Sequence, residues 1–324
     1  MKIFVFEWVT GGGLAGKALP PGLAREGEMM LRALVEDLGG VPAVRLTTSR
    51  DRRLLPPPPG VPSIVPATGE GPLALFARGA HGADAVWPIA PETDGVLERL
   101  ACCTVALGKT LLGCRPEAVR FTASKRATAR ALEATGVPVV PTFGAGERPQ
   151  PSPGRWVVKP DDGVGCEGAR LVPDWRSAAA LLAHGSEKLV AQPWIDGQAA
   201  SLSLLCRDGD ARLLCANQQH IRFVDGRLSL AGISVNAVPD REGTLRDLAR
   251  RIAAAIPGLW GYVGVDIVLA HDGPVVLEIN PRLTTSYRGL RRALGINPAA
   301  LVLEGLLAPP RRTAPVSLEG DRAH

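Results

Sequence analysis

The chain has 324 residues, which suggests two or three domains with well-buried cores. At 46% hydrophobic and 21% charged it is ordinary globular material, and neither an 18-residue apolar run nor a leader-like segment points to a membrane or to export. Its net charge of +5 comes from dispersed arginines, and 14 aromatic residues leave little for base stacking, which argues against a nucleic-acid partner and for a small anionic substrate.

Lys2–Phe6 is a continuous apolar run, as in a parallel strand buried on both faces. It leads into Glu7-Trp-Val-Thr-Gly-Gly-Gly13, a loop at the carboxyl edge of a sheet, where ligands bind. Apolar residues at 30, 31, 34, 35 and 38, followed by Gly39-Gly40, predict an amphipathic helix and its stop. Strands are expected over 41–46, 83–89 and 104–107, with a helix over 92–100 and an exposed proline-rich connection over 50–62. This alternation predicts a small doubly wound parallel α/β domain over residues 1–112. Three adjacent glycines replace G-x-G-x-x-G, which sets aside an NAD-dependent reading.

Ser124 is an N-cap signal for a helix from Lys125 to about Thr135, closed by Gly136 and Pro138. Next comes Trp156-Val-Val-Lys-Pro-Asp-Asp-Gly-Val-Gly-Cys-Glu-Gly168, a strand that ends in Lys159 and continues as a loop with glycines at 163, 165 and 168. Glycines let backbone N–H groups close on an anion, and a lysine at the strand end adds a point charge: the stretch reads as a phosphate cradle. Only six lysines stand against 31 arginines, which singles out Lys125 and Lys159 as lysines kept for chemistry.

A strand over 171–172, a helix over 174–183 and a strand over 189–192 complete this unit. The last strand breaks at Gln192-Pro193-Trp-Ile195-Asp196-Gly197, where the Pro193 carbonyl and the Ile195 N–H have the spacing an adenine requires. Residues 200–219 alternate around Asp208-Gly209 as an antiparallel hairpin, and 243–256 and 298–307 are helical. Residues 308–324, with prolines, arginines and no apolar period, predict a disordered tail.

Gly264-Val-Asp266 on one strand and Glu278-Ile-Asn280 on the next offer three oxygen ligands for Mg²⁺. Asp266 shares the face of Glu278 and Asn280 only if paired residue numbers sum to an even value. An odd-length turn at His271-Asp272-Gly273 would achieve this. The six cysteines (102, 103, 114, 166, 206 and 215) include no C-x-x-C, as in the reduced thiols of a cytoplasmic protein. His81, His184, His220 and His271 read as structural, with His220 the one nearest to candidate substrate residues.

Lys125, Lys159 with its glycine loop, Gln192–Gly197, Asp266, Glu278-x-Asn280 and Arg282, in that order, resemble the ATP-grasp superfamily of carboxylate–amine ligases over residues 113–307. The resemblance implies an ATP-grasp fold, with a central lobe over 113–195 and a C-terminal lobe over 196–307 sandwiching ATP. By position, Lys125, Lys159, Gly163, Gly165 and Gly168 would meet the phosphates, and Gln192, Pro193, Ile195 and Asp196 the nucleoside. Ala199 takes the place of a ribose-binding glutamate, so that either Asp196 would stand in for it or the ribose would be held more loosely. Asp266, Glu278 and Asn280 would hold one or two Mg²⁺, with Mn²⁺ as a substitute, and Arg282 would face the transferred phosphoryl group.

Within the superfamily, Phe6–Gly13, Leu23–Gly27, Ala90-Pro-Glu-Thr-Asp94, Asn217-Gln-Gln219 and Asn280–Tyr287 look like the tyramine–glutamate ligase group of methanofuran biosynthesis. That likeness implies a glutamate donor and a tyrosine-like amine as small-molecule substrates, and it allows a homodimer. The substrate site expected from it comprises Glu7, Gly11, Gly12, Gly13, Glu92, Arg282, Thr285, Tyr287 and Arg288, with Trp8 and Tyr287 flanking an aromatic ring. A nucleotide-binding protein without catalysis is the competing expectation, disfavoured by the presence of both lysines and all three metal positions.

Overall fold

β1 (Lys2–Glu7) shows why an unbroken apolar strand forms here, since it is the centre of a parallel sheet covered on both faces. Ile3 and Val5 face α1 (Pro21–Gly39) through Leu31, Leu34 and Leu38. Phe4 and Phe6 face the opposite way. In this computed structural model the chain is described over residues 1–58, 60–149, 154–165, 167–184, 188–224 and 227–307. The expected tail over 308–324 and Cys166 of the glycine loop lie outside them.

The sheet continues with β2 (Arg45–Ser49), the short β3 (Ser63–Ile64) and, after α2 (Pro72–His81), β4 (Ala85–Ile89). α3 (Val96–Ala106) leads to β5 (Thr110–Leu111), and the strand order is β3-β2-β1-β4-β5, all parallel. α2 and α3 cover the Phe4–Phe6 face with Leu75, Phe76, Leu97 and Leu100, so the sheet is doubly wound as expected. The strand expected over 104–107 is the end of α3 and its cap, the expected 41–46 strand and 92–100 helix are shifted to β2 and α3, and sequence reasoning missed β3, α2 and β5. Leu97, Leu100, Ala101 and Thr104 are buried at helical spacing, and the Thr104 hydroxyl donates to the Leu100 carbonyl one turn back, which satisfies a β-branched residue inside a helix.

α4 (Pro116–Ala123) and α5 (Lys125–Ala134) follow, the second N-capped by Ser124, whose hydroxyl accepts from the Ala127 N–H. A small lobe comprises β6 (Trp156–Pro160), β7 (Arg170–Val172), α6 (Trp175–His184) and β8 (Leu189–Pro193), closed over Trp156, Val158, Ala178, Leu182 and Ala191.

β9 (Gln198–Arg207) and β10 (Asp210–Val224) form the expected hairpin. β11 (Arg227–Val238), which sequence reasoning missed, pairs with β10 and reaches β7 through Arg227 and Arg170. After α7 (Thr244–Ala255) come β12 (Gly261–Ala270) and β13 (Gly273–Asn280), and one eight-stranded sheet results, in the order β13-β12-β9-β10-β11-β7-β6-β8.

This long sheet has a two-sided composition. Ala200, Leu202, Leu204, Val263, Val265 and Ile267 point to α7 and the apolar core, while Ser201, Ser203, Asn217 and Asp266 alternate onto the other face. α4 and α5 pack against β13 and join this core through Val119 and Leu132, so residues 116–134 sit with the large lobe and not with β6–β8. α8 (Tyr287–Leu294) and α9 (Pro298–Leu307) return to the N-terminal domain. There Tyr287 Oη donates to the buried Asp37 of α1 at 2.8 Å, and Arg291 adds a contact at 3.2 Å.

Candidate active site

β6 delivers Lys159 and the N-terminus of α5 delivers Lys125 to one point. Their ammonium groups lie 3.4 and 3.5 Å from the same Glu278 Oε2 on β13. Lys125 also donates to the carbonyls of Asp161 (3.2 Å) and Gly163 (2.5 Å), which ties it to the base of the glycine loop. Asp161 completes that base: its carboxylate accepts from the Arg126 N–H at 2.9 Å and the Ser124 hydroxyl at 2.6 Å, capping α5. Gly165 and Gly168 hold positive φ (62° and 72°), which bends the chain back over the strand end.

Asp266 faces Glu278 across the β12–β13 ladder, and Gly264 faces Asn280, so paired numbers sum to an even value at the site. The turn does not produce this parity. Ala270 pairs with Gly273, leaving two residues between them, and the odd residue is a bulge at Leu277, between the Asp266–Glu278 and Ile267–Val276 pairs. A bulge beside the ligands re-aims them without lengthening the turn.

Asp266 accepts from Gln219 Nε2 at 2.9 Å and from Asn280 Nδ2 at 3.2 Å, which leaves the Asn280 carbonyl oxygen as an acceptor. Burial, and then the charge of Glu278, push the Asp266 carboxyl up to about 7. Burial acts the same way on Glu278, but Lys125 and Lys159 outweigh it and hold that carboxyl at about 2. The two carboxylates lie opposite each other, with both lysine ammonium groups on the Glu278 side. With the Asn280 oxygen the carboxylates make the hard, all-oxygen donor set that suits Mg²⁺. Among the described residues no cluster of three His, Cys, Asp or Glu offers an alternative metal site.

Arg282 follows two residues after Asn280. Its Nε donates to Glu92 Oε2 at 3.0 Å across the domain boundary, and its Nη1 to the Leu283 carbonyl. Glu92 is 4% exposed, and its other oxygen, Oε1, is buried with no partner among the described residues. At the other end of the cleft, Trp194 N–H donates to the Arg155 carbonyl, and Pro193 and Ile195 flank it where β8 ends. Asp196 accepts from Trp194 Nε1 at 2.7 Å and lies near Arg155 at 3.5 Å, with its side chain 90% exposed.

Several residues expected at the substrate or nucleotide have partners within the protein. Gln192 is buried, with its amide donating to Thr142, so its side chain is not offered to a nucleotide. The Glu7 carboxylate accepts from Val9 N, Thr10 N and Thr10 Oγ1, and a Cβ on Gly27 of α1 would come within 2.5 Å of it. Its carboxylate caps its own loop. Gly11 and Gly13 donate to the carbonyls of Glu7 and Trp8, and a Cβ on Gly12 would meet Pro66 at 2.8 Å. These glycines let the loop fold onto itself, and the Gly11 and Gly13 donors do not face an anion.

Trp8 packs edge-on against Phe6, and Tyr287, 1% exposed, is the Asp37 staple described above. Arg288 is exposed and reaches back to the Met29 sulfur, away from Arg282. Thr285 is half-buried between Thr284 and Ser286, whose hydroxyls bond each other and Tyr262. His220 meets only the Ser234 hydroxyl at 2.8 Å. Residues that sequence reasoning passed over are Asp161 and Gln219, the second visible only as part of the Asn217-Gln-Gln219 run.

The five described cysteines are unpaired, and burial pushes the thiols of Cys114, Cys206 and Cys215 up, that of Cys114 to about 12. No helix among the described residues is long and apolar enough to cross a membrane.

The comparisons with known proteins agree with this geometry. An ATP-grasp domain model matches residues 122–286 and a pre ATP-grasp domain model matches residues 44–119. The tyramine–L-glutamate ligase of Methanocaldococcus jannaschii is 30% identical over 203 residues, 63% of this chain and 57% of that protein, so the match spans less than two thirds of the relative's length. A crystal structure of an ATP-grasp superfamily protein from Archaeoglobus fulgidus superposes with a TM-score of 0.70 at 26% identity, covering 94% of this chain and 88% of that one. The L-amino acid ligase of Bacillus licheniformis shares the fold, with a TM-score of 0.63 at 17% identity over 94% of this chain and 73% of that one. ATP and Mg²⁺ are what the matched domain family generally uses. With the glycine loop, the two converging lysines and the paired strands that carry Asp266, Glu278 and Asn280 all inside the matched span, this chain belongs to the ATP-grasp family.

Proposed function

We propose that the protein is an ATP-dependent ligase that joins a carboxylate to an amine through an acyl phosphate. The γ-carboxyl of L-glutamate is the donor and tyramine or tyrosine the acceptor, in the assembly of a methanofuran- or methylofuran-type cofactor. The observation that carries the ligase reading is the convergence of Lys125 and Lys159 on Glu278, beside Asp266 and Asn280. The choice of substrates is supported by the similarity to the tyramine–L-glutamate ligase.

In this reading a carboxylate oxygen of the donor attacks the γ-phosphorus of ATP, the bond to the β-phosphate oxygen breaks, and ADP leaves. The amine nitrogen then attacks the acyl carbon, gives up a proton, and phosphate departs. Lys125 and Lys159 place two cations beside the phosphates, and Arg282, oriented by Glu92, meets the oxygens of the transferred group. Asp266, Glu278 and Asn280 would hold Mg²⁺, which when bound supplies charge neutralisation at the phosphate oxygens. Pro193 and Ile195 would bind adenine through their backbone, with Asp196 at the ribose. The unpartnered Glu92 oxygen is a candidate acceptor for a substrate ammonium.

The test is ADP release over a matrix of amino acids and amines, with products read by mass spectrometry. One ADP per γ-glutamyl amide is expected with glutamate and tyramine or tyrosine. Amide formation with a different pair alone would retain the ligase and discard these substrates. Nucleotide binding without any amide would leave the non-catalytic alternative.

A further inference from the structure

We propose that residues 92–94 form a clasp by which the N-terminal domain positions the phosphate loop and the transfer arginine together, with Thr93 and Asp94 as positioning residues for the loop. The proposal rests on the ligase reading for what the clasp serves, and on separate contacts for its existence. These three residues belong to the Ala90–Asp94 motif.

Beyond β4 the chain turns so that Glu92 points inward to Arg282 while the next two residues point to the loop. The Thr93 hydroxyl donates to the Asp162 carbonyl at 3.0 Å, and the Asp94 N–H donates to Asp162 Oδ2 at 3.1 Å. One loop residue is thus gripped through both its backbone and its side chain. Asp94 and Gly95 hold consecutive left-handed conformations (φ 55° and 65°), and α3 begins only at Val96. A left-handed conformation is disfavoured for a residue with a Cβ. Here it separates the Asp94 amide from the helix, so that the amide serves the loop.

Asp162 sits between two other pinned residues. Asp161 caps α5, and the Gly163 carbonyl takes the Lys125 ammonium. The loop base is therefore fixed on one side to α5 and on the other to the N-terminal domain.

Hydrogen exchange of the segment 160–165, read by mass spectrometry with and without Mg·AMP-PNP, tests this in wild type, Thr93→Val, Thr93→Ser and Asp162→Ala. Loss of one or two partly exposed hydrogen bonds should speed exchange roughly three- to tenfold in Thr93→Val and Asp162→Ala. Thr93→Ser should restore the wild-type rate. The nucleotide dissociation constant should weaken by a similar factor, and exchange in the β12–β13 hairpin should not change. Thr93→Val and Asp162→Ala proteins that fold and exchange like wild type overturn the clasp. Exchange needs no turnover, so clasp-dependent protection in a protein that makes no amide supports the clasp and refutes the ligase reading alone.

Discussion

Replacing Tyr287 by Phe separates two roles for this residue, the substrate contact expected from the sequence and the domain staple seen in the fold. The ring is 1% exposed, and the change deletes one O–H···O contact of 2.8 Å to Asp37, itself 3% exposed. The Asp37 carboxylate keeps only Arg291 at 3.2 Å. Loss of a buried hydrogen bond to a charged group costs about 1.5–3 kcal/mol. For a chain of this size the thermal midpoint should fall by about 2–4 °C. Burial raises the Asp37 carboxyl, whereas Tyr287 and Arg291 pull it back, so removing the hydroxyl raises it further. The folded variant then binds its proton more tightly than folded wild type. The loss of stability should be complete above the Asp37 titration and shrink as pH falls through it. Thermal and urea unfolding at neutral and acidic pH measure this, and ADP-release kinetics run alongside should show an unchanged KM for the amine. A stable variant with a raised amine KM would refute the assignment of Tyr287 to the domain staple.

Glu278→Gln and Asn280→Ala should fold normally and lose turnover by roughly a hundredfold or more, since each removes about 3 kcal/mol of stabilisation of developing charge; near-normal kcat in both would remove the metal-site assignment. Gln219→Ala frees one side of Asp266 and should weaken Mn²⁺ binding, followed by electron paramagnetic resonance, by about ten- to a hundredfold, with an unchanged affinity counting against a role in orienting that ligand. Gly27→Ala puts a methyl within 2.5–2.7 Å of the Glu7 carboxylate and should destabilise the protein by about 1–3 kcal/mol; a melting curve like that of wild type would show that the loop relaxes freely.

Wherever chemistry is carried by local pattern, the sequence was sufficient. Lys2–Phe6 could be read as a doubly covered strand because burial on both faces removes alternation, and Ser124 as a helix cap because capping acts over three residues. The glycine loop and the Glu278-x-Asn280 spacing are likewise local. Arginine's dominance over lysine made Lys125 and Lys159 stand out before any contact was known. Pairing parity was also correctly required, although its source was misplaced: a turn can be read from Asp-Gly, whereas a bulge at Leu277 leaves no mark in composition.

What the sequence could not decide depends on which distant groups compete for the same atoms. Glu7 and Tyr287 looked like ligand contacts because polar atoms next to apolar runs look alike in a string. Only the fold shows Thr10 and Val9 saturating Glu7, and Asp37, 250 positions away, receiving the Tyr287 hydroxyl. The strand expected over 104–107 failed for the same reason, since β-branched preference is weak and burial against the sheet favoured the helix. Asp162 is an ordinary loop acid until β4 brings residues 93 and 94 against it. The residues proposed as ligands stood out in the sequence because each is chemically distinctive. The groups that orient them did not, because positioning is a property of tertiary contact between ordinary residues.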